Sequence, residues 1–151
     1  PGEIQIKGLN VFKEYWKKPK ATIDSFQDGW FKSGDVAIFN NGMYKILGRD
    51  SVDIIKSGGY KISALEIEDV LLRHPKIKEC AVVGLPDREW GEVVAASIIL
   101  SDENIDFKIL KSWLKKLLPA YKIPRKFIIQ KGLPRNTLGK VTKKILKKAF
   151  I

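Results

Sequence analysis

The pattern of strands and helices in this 151-residue chain changes at Arg49, and that change limits the folds open to it. Before Arg49 the sequence predicts short strands and one tight turn, at residues 3–7, 36–39, Asn40-Asn41-Gly42 and 43–47. Asn-Gly tolerates the positive φ angles that a tight hairpin turn needs. Residues 21–26 are compatible with either a helix or a loop. Residues 1–48 are therefore predicted to be rich in β-structure.

Beyond Arg49, helices and strands alternate. The run Ser63-Ala64-Leu65-Glu66 is a capping box, in which the serine satisfies free N–H groups of the first helical turn and the glutamate reaches back. The helix that it opens is predicted to end near Pro75 and to offer Leu65, Val70 and Leu72 for burial. Strands are predicted at residues 53–56, 77–85, 92–100 and 126–130, and further helices at residues 106–118 and 141–150. This order predicts an α+β fold in which a small C-terminal α/β sandwich, residues 49–151, follows the β-rich segment.

The two later helices are predicted to be amphipathic. Their apolar stripes comprise Phe107, Leu110, Leu114 and Leu117 in the first helix, and Val141, Ile145 and Ala149 in the second. The opposite faces carry lysines, namely Lys111, Lys115 and Lys116 in the first helix, and Lys143, Lys144, Lys147 and Lys148 in the second. These lysines are predicted to form solvated faces rather than a dedicated anion site.

Composition sets broad limits on function. The formal charge of +11 and the pI of about 9.7 favour an anionic partner, without separating nucleic acid, a nucleotide and a lipid surface. No apolar run approaches the roughly 20 residues that span a bilayer. The chain starts at Pro1 without an initiator Met, so we expect its true N-terminus, with any targeting signal, to lie upstream.

Two single residues are interpreted as structural. Cys80 is the only cysteine, which excludes an internal disulfide, and its apolar neighbours predict a buried thiol rather than an exposed nucleophile. An intracellular compartment fits this use of cysteine. His74 lies next to Pro75, at the predicted end of a helix, and is interpreted as a helix-end or surface residue rather than a catalytic base. The sequence offers no candidate metal ligands.

Three polar segments carry residues suited to nucleotide and thiol chemistry, at residues 29–35, 48–68 and 133–140. In the first, Asp35 follows a turn and can accept both hydroxyls of a ribose, because its two oxygens match a cis-diol. In the second, the pair Gly58-Gly59 lets the backbone approach a ligand closely. In the third, a polar loop presents Lys140 to negative charge that develops on a phosphoryl or carboxylate group. Alone, each segment is compatible with an ordinary turn or surface loop.

Together and in this order, the three segments resemble the adenylate-forming superfamily of acyl-CoA synthetases, luciferases and peptide-synthetase adenylation domains. Two further stretches are similar to that family, residues 3–8 with 15–19 before the first segment and residues 119–124 before the third. The resemblance covers essentially the whole chain. It implies that residues 1–48 are the β-rich end of a large N-terminal AMP-binding domain and that residues 49–151 are a mobile C-terminal lid.

The resemblance also implies an activity and a role for each candidate residue. The full-length protein would be an acyl-CoA synthetase, an acid–thiol ligase that makes acyl-AMP from ATP and then an acyl-CoA. Asp35 and Arg49 would bind the nucleotide, and Lys140 would be the catalytic lysine that bridges the acyl carboxylate and the α-phosphate. The loop Ser57-Gly58-Gly59-Tyr60 would line the tunnel for the pantetheine of CoA, and Lys61 would lie near a CoA phosphate.

The remaining implications concern the hinge, the partners and the compartment. The hinge of the lid would lie just after Arg49, at Asp50, Ser51 or Val52. The N-terminal domain would hold Mg²⁺ and the carboxylic acid substrate, so this chain alone is expected to be inactive. Residues 53–66 are most similar to the malonyl- and methylmalonyl-activating branch of fatty acid metabolism. That branch implies the mitochondrial matrix, and another branch would imply the cytoplasm.

Two rival functions are compatible with parts of the sequence. A luciferase-like or carrier-protein-loading adenylation enzyme would share all three segments and differ in its acceptor. A basic nucleic-acid-binding module would explain the charge, but the sequence has no recognisable nucleic-acid motif and its aromatic residues are expected to be buried. We therefore expect no nucleic-acid partner and no transmembrane segment.

Overall fold

The computed structural model describes residues 1–101 and 104–151, which divide into two compact units. Unit 1 is Pro1–Ser51 and unit 2 is Val52–Ile151. Each unit has its own β-sheet. The division lies three residues beyond residue 48, where the sequence pattern changes.

Unit 1 is a four-stranded antiparallel sheet with one short helix. Its elements are β1 (Gly2–Ile6), α1 (Pro19–Ser25), β2 (Phe26–Gln27), β3 (Trp30–Asn40) and β4 (Met43–Arg49). The long strand β3 pairs with each of the other three strands. The predicted hairpin is confirmed and is longer than expected, and its turn residues Asn41 and Gly42 have φ angles of 49° and 78°.

Unit 2 is the predicted small α/β sandwich. Its elements are β5 (Ile54–Ser57), β6 (Tyr60–Ser63), α2 (Ala64–Leu71), β7 (Ile77–Asp87), β8 (Gly91–Leu100), α3 (Phe107–Leu114), β9 (Lys126–Ile129) and α4 (Lys143–Leu146). Strand β8 pairs antiparallel with β5 and β7 and parallel with β9, while β6 pairs with β5. Sequence reasoning missed β6, whose four residues lie between the Gly58-Gly59 turn and the cap of α2.

The central hairpin of unit 2 is covered on both faces. Alternate residues of β7 and β8 belong to different apolar clusters, with Val82, Val94, Ala96 and Ile98 in one and Ala81, Val83, Val93 and Ala95 in the other. Residues of α2 and α3 complete the first cluster, and Leu146 of α4 completes the second. Continuous apolar runs, rather than strict alternation, are the pattern of strands buried on both faces. Helix α4 therefore lies on the opposite face of the sheet from α2 and α3.

The apolar face of α2 differs from the prediction. Ser63 caps the helix as predicted, with its Oγ accepting from the N–H of Glu66 at 3.2 Å. The buried residues are Ala64, Ile67, Val70 and Leu71, whereas Leu65 and Leu72 are exposed. Positions three, four and seven residues apart share one helical face, so the register that begins at Ala64 leaves Leu65 and Leu72 together on the outer face.

The two later helices are shorter than predicted. Helix α3 ends at Leu114, and the following turn buries Leu118 while Leu117 is exposed. The predicted helix over 141–150 begins two residues later and ends as a 3₁₀ turn: Val141 forms a bridge with Arg135, α4 covers Lys143–Leu146, and the 3₁₀ turn covers Lys147–Phe150. Of its predicted stripe, Val141 packs against the second apolar cluster, but Ile145 and Ala149 are exposed and Leu146 is buried instead.

Many aromatic side chains are exposed, which corrects the expectation that they are buried. In unit 1, Trp16, Phe39 and Tyr44 are each more than 60% exposed. In unit 2, Tyr60 and Tyr121 are about half exposed. Within the described part of the chain, no helix combines the length and the apolar character that crossing a membrane requires.

Candidate functional site

Asp35 and Arg49 are brought together in unit 1 by strand pairing. Asp35 on β3 lies opposite Arg49 on β4, and the two side chains form an ion pair with Oδ1 of Asp35 3.2 Å from Nε of Arg49. Asp35 lies inside a strand, and not at a sharp turn as predicted. The preceding Gly34 has a φ of 77°, and the register shifts between Val36 and Ala37, so the strand is locally bent. The Asp35 carboxylate is about one-third exposed and remains accessible to a ligand.

Gly58 and Gly59 form the turn of the β5–β6 hairpin in unit 2. Their backbone φ angles are 56° and 82°, a region that residues other than glycine rarely adopt. The N–H of Gly58 donates to the carbonyl of Trp90 at 2.9 Å, and a Cβ on Gly58 would lie 2.7 Å from the Trp90 ring. A Cβ on Gly59 would meet no described atom within 4 Å. Gly58 therefore packs under Trp90, while Gly59 leaves open space for another molecule.

A cleft of about 220 Å³ lies beside this turn. Tyr60 stacks on Tyr121 with ring centroids 4.3 Å apart, and the Arg125 guanidinium lies 4.2 Å from the centroid of Trp90. Both pairs line the cleft, together with Ser57, Val94, Lys111, Lys115, Ala120, Ile123 and Pro124. Lys61 lies outside this lining, opposite Lys56 in the hairpin. The cleft thus combines exposed aromatic faces with three cationic side chains.

The loop that carries Lys140 is held by its own hydrogen bonds. Oδ1 of Asn136 accepts from the N–H of Leu138 at 3.0 Å and from that of Lys140 at 2.9 Å. The N–H of Asn136 donates to the carbonyl of Lys140 at 2.9 Å. No described residue forms an ion pair with the Lys140 ammonium, and the side chain is exposed. The backbone of the loop is therefore fixed, while the ammonium extends into solvent.

The Gly58-Gly59 turn and the Lys140 loop lie at opposite ends of the unit 2 sheet. Ser57, next to the turn, pairs with Gly91 at the start of β8. Arg135, at the base of the Lys140 loop, forms an ion pair with Glu79, which pairs with Ile99 near the end of β8. Gly91 and Ile99 are eight positions apart along β8, which is roughly 26 Å at about 3.3 Å per residue. One small domain therefore presents two separate candidate sites.

Known proteins resemble this chain in sequence and in fold. Residues 66–140 match the family described as AMP-binding enzyme C-terminal domain. The chain is 46% identical over 151 residues to the mitochondrial malonate–CoA ligase ACSF3 of Homo sapiens. The chain carries the C-terminal domain of AMP-binding enzymes. Its AMP-binding C-terminal domain accounts for most of unit 2.

Solved structures of adenylate-forming enzymes have the same fold. ATP-bound MatB from Rhodopseudomonas palustris has a TM-score of 0.90 and 37% identity, covering 99% of this chain and 30% of that one. The o-succinylbenzoate CoA synthetase MenE of Bacillus subtilis, in complex with its acyl-adenylate intermediate, has a TM-score of 0.89 and 41% identity, covering 97% of this chain and 30% of that one. The match with the human relative covers 99% of this chain but only 26% of that relative's length.

Lys143 of this AMP-binding domain is buried, which corrects its predicted place on a solvated face. Its side chain is 8% exposed, and Nζ lies 2.7 Å from Oδ1 of Asp53 and 2.8 Å from Oε1 of Glu68. Sequence reasoning missed this cluster because Asp53 lies 90 residues away along the chain. It also missed the cleft residues Trp90 and Arg125, because four separate segments contribute to that lining.

The Glu66 carboxylate accepts from Nζ of Lys122 at 2.7 and 2.8 Å. This ion pair links α2 to residues 119–124. This segment resembles the family, but the resemblance implied no role for it. It holds the backbone next to Tyr121, which is the stacking partner of Tyr60. The pair therefore helps to shape one wall of the cleft.

His74 and Cys80 serve structural roles in this domain. His74 follows α2, as predicted, and its ring packs edge-on against Trp113 with centroids 5.0 Å apart. Burial and the nearby Lys76 ammonium lower the pKa of His74. Cys80 is only partly buried, and its thiol donates to the carbonyl of Glu68 at 3.6 Å. Within residues 1–101 and 104–151, no group of three His, Cys, Asp or Glu side chains is arranged to hold a metal ion.

Cys80 is expected to react slowly with iodoacetamide at pH 8. Burial, and then the Glu68 carboxylate, raise the pKa of its thiol to about 12, although Lys143 acts in the opposite direction. Because the thiolate is the nucleophile, about one thiol in 10⁴ is reactive at pH 8, against roughly a quarter of free cysteines. Mass spectrometry of the native and the urea-unfolded chain checks this. Alkylation rates within about tenfold of each other would contradict it.

Proposed function

We propose that the chain is the C-terminal part of an ATP-dependent acyl-CoA synthetase. Unit 1 completes the large AMP-binding domain, and unit 2 is the lid that moves over it, with the hinge at Asp50, Ser51 or Val52, where the two units meet along the chain. The complete enzyme first joins a carboxylate to the α-phosphate of Mg·ATP, which releases pyrophosphate and leaves acyl-AMP. The thiol of CoA then attacks the acyl carbonyl, and AMP leaves.

The placement of the two candidate sites at opposite ends of the unit 2 sheet is the observation that carries this proposal. A rigid domain of this kind can bring either Lys140 or Gly59 to one reacting centre, but not both at once. Hinge rotation between two half-reactions resolves this conflict. Lys140 serves adenylation, and the Gly58-Gly59 turn serves thioester formation after the lid has turned.

Asp35 and Arg49 are assigned to the nucleotide. The Asp35 carboxylate is accessible and suits the two hydroxyls of a ribose. Arg49 lies opposite it in the hairpin and immediately before the hinge, so a nucleotide that contacts the pair also lies next to the hinge. The described residues give no cluster of acidic ligands for Mg²⁺, so we assign the ion, as Mg·ATP, to the large domain.

The cleft beside Gly59 is assigned to CoA. The open space at Gly59 suits a narrow pantetheine chain, which a side chain at this position would obstruct. Lys111, Lys115 and Arg125 offer positive charge to the phosphates of CoA, and the exposed aromatic rings offer stacking surfaces to its adenine. Lys61 lies outside the lining of the cleft, and we assign it to a CoA phosphate at the edge.

The partner of unit 1 is proposed to be the rest of the large AMP-binding domain. Its sheet leaves Phe39, Tyr44 and Ile46 largely exposed. Neighbouring apolar side chains of this kind mark a surface that another protein surface covers. The relatives' greater length supplies the segment that would cover it.

Malonate or a similar short dicarboxylate is the proposed acyl substrate, and the mitochondrial matrix the proposed compartment. Both rest on the name of the human relative, a mitochondrial malonate–CoA ligase. The alternative within the superfamily is an enzyme that loads a carrier protein. The cationic cleft favours CoA, because its phosphates give these cations a partner.

The complete enzyme is expected to form malonyl-CoA from malonate, ATP and CoA, with AMP and pyrophosphate as the other products. The chain of residues 1–151 alone should show no ATP–pyrophosphate exchange with any carboxylate, because we assign the acyl pocket to the large domain. Product analysis by mass spectrometry, with CoA and a carrier protein offered as competing acceptors, checks the assignment. Transfer to the carrier protein alone, or exchange by the isolated chain, would contradict it.

A further inference from the structure

Lys143 occupies a distinctive position in the chain, three residues after Lys140 and inside the protein. Its ammonium bridges the carboxylates of Asp53 and Glu68 at 2.7 and 2.8 Å, and all three side chains are at most 16% exposed. A buried charge is costly unless it is paired and hydrogen-bonded. The two carboxylates therefore hold this lysine in one place much more firmly than a surface ion pair would.

The two acidic residues are themselves attached to α2 and β7. Oε1 of Glu68, on α2, also accepts from the N–H of Val82 on β7 at 2.7 Å. The carbonyl of Asp53 accepts from the N–H of Ala64 at 2.8 Å, where α2 begins. Asp53 comes two residues after the end of unit 1 at Ser51. The cluster thus joins the start of α4 to β7, to α2 and to the hinge-side end of unit 2.

Ion pairs attach the Lys140 loop to the rest of unit 2 on both sides, in addition to the packing of Leu133 and Val141 against the apolar cluster of β7 and β8. At its N-terminal side, Arg135 pairs with Glu79, but both side chains are more than a third exposed. Exposed ion pairs of this kind contribute little. At its C-terminal side, the N–H of Thr142 donates to the carbonyl of Pro134 at 2.7 Å, and Lys143 follows directly. Lys143 is therefore the firmer of the two anchors.

We propose that Lys143 is a positioning residue for adenylation: it fixes the base of the Lys140 loop to the hinge-side end of the lid. Hinge rotation then carries the Lys140 ammonium to the α-phosphate as part of one rigid body. This inference rests on the proposed function. Lys143 contacts neither the nucleotide nor CoA in this scheme, so its effect passes through Lys140 alone.

Lys143→Met in the complete enzyme is expected to slow acyl-AMP formation by about ten- to hundredfold, because a displacement of about 1 Å is enough for such a loss. Transfer from pre-made acyl-AMP to CoA should stay within about twofold of wild type, since Lys140 has turned away in that step. Lys143→Arg keeps the charge and should restore most of the adenylation rate. Lys144→Met, a change at the exposed neighbouring lysine, is the matched control and should change neither rate.

Glu68→Gln is the second variant if Lys143→Met does not fold. It retains an oxygen for the N–H of Val82 and leaves the pair between Lys143 and Asp53 in place. A smaller loss, again confined to adenylation, is expected. Addition of Lys143→Met to Lys140→Ala should cause no further loss of adenylation, because both changes remove the same contact.

The outcomes separate this inference from the proposed function. Equal slowing of both half-reactions by Lys143→Met or Glu68→Gln, with Lys140→Ala still selective for adenylation, would overturn the positioning role and leave the function intact. A Lys140→Ala variant that is not selective would overturn the function itself. A further loss in the double variant, measured by single-turnover adenylation, would also count against the positioning role.

Discussion

Lys140→Ala in the complete enzyme is expected to reduce acyl-AMP formation by a factor on the order of a hundred or more. Adenylation brings negative charge of the carboxylate and the α-phosphate together, and a cation placed there stabilises the transition state more than the ground state. Loss of such a contact costs roughly 3 kcal/mol. The Lys140 ammonium is exposed and its loop is fixed by hydrogen bonds, which suits this role because the loop backbone would not have to change conformation when the ligand binds. Rapid-quench measurement of acyl-AMP in a single turnover checks the result.

Lys131→Ala is the matched control, because it removes an exposed lysine that lies two residues before the same polar segment. It should leave both half-reactions unchanged. Thioester formation from pre-made acyl-AMP should also be near normal in Lys140→Ala. Loss of both half-reactions to the same extent would mean that Lys140 maintains the fold of the lid rather than acting on the phosphate.

Gly59→Leu is expected to have the reverse effect, with thioester formation slowed about ten- to hundredfold and adenylation nearly unchanged. The leucine side chain would fill the open space that we assign to pantetheine, and overpacking of this kind costs about 1–3 kcal/mol. In the adenylation state the turn lies away from the reacting centre, so the substitution has nothing to obstruct. Stopped-flow measurement of acyl transfer from acyl-AMP to CoA checks the prediction.

Gly42→Leu separates obstruction from backbone strain. Gly42 has a φ of 78° against 82° for Gly59, and a Cβ at either position would meet no described atom within 4 Å. The two substitutions therefore carry similar strain, but Gly42 lies in the hairpin of unit 1. If Gly42→Leu slows acyl transfer as much as Gly59→Leu, strain explains the loss and the assignment of the turn to pantetheine fails.

Local signals in the sequence predicted the turns and caps of this fold correctly. Asn41 and Gly42 adopt the positive φ angles that their residue types favour, and Ser63 caps α2. Each of these features depends on residues within three or four positions along the chain, so the sequence alone is sufficient. The order of the three polar segments also predicted the family, and the comparisons confirm that prediction.

Features that depend on packing between distant segments were not predictable. Leu65 and Leu72 are as apolar as the residues that α2 buries, and only the position of β7 selects which face is covered. Lys143 was assigned to solvent because lysine is seldom buried, and its two acidic partners are distant in sequence. The cleft beside Gly59 likewise exists only once four segments meet.

The two half-reaction rates of Lys140→Ala and Gly59→Leu, measured in the same preparations of the complete enzyme, test the two-state lid most directly. We expect Lys140→Ala to lose adenylation and keep acyl transfer, and Gly59→Leu to keep adenylation and lose acyl transfer. This crossed pattern requires that the two ends of one domain act at different times. If each variant slows both half-reactions by the same factor, the two ends do not alternate and the account is wrong.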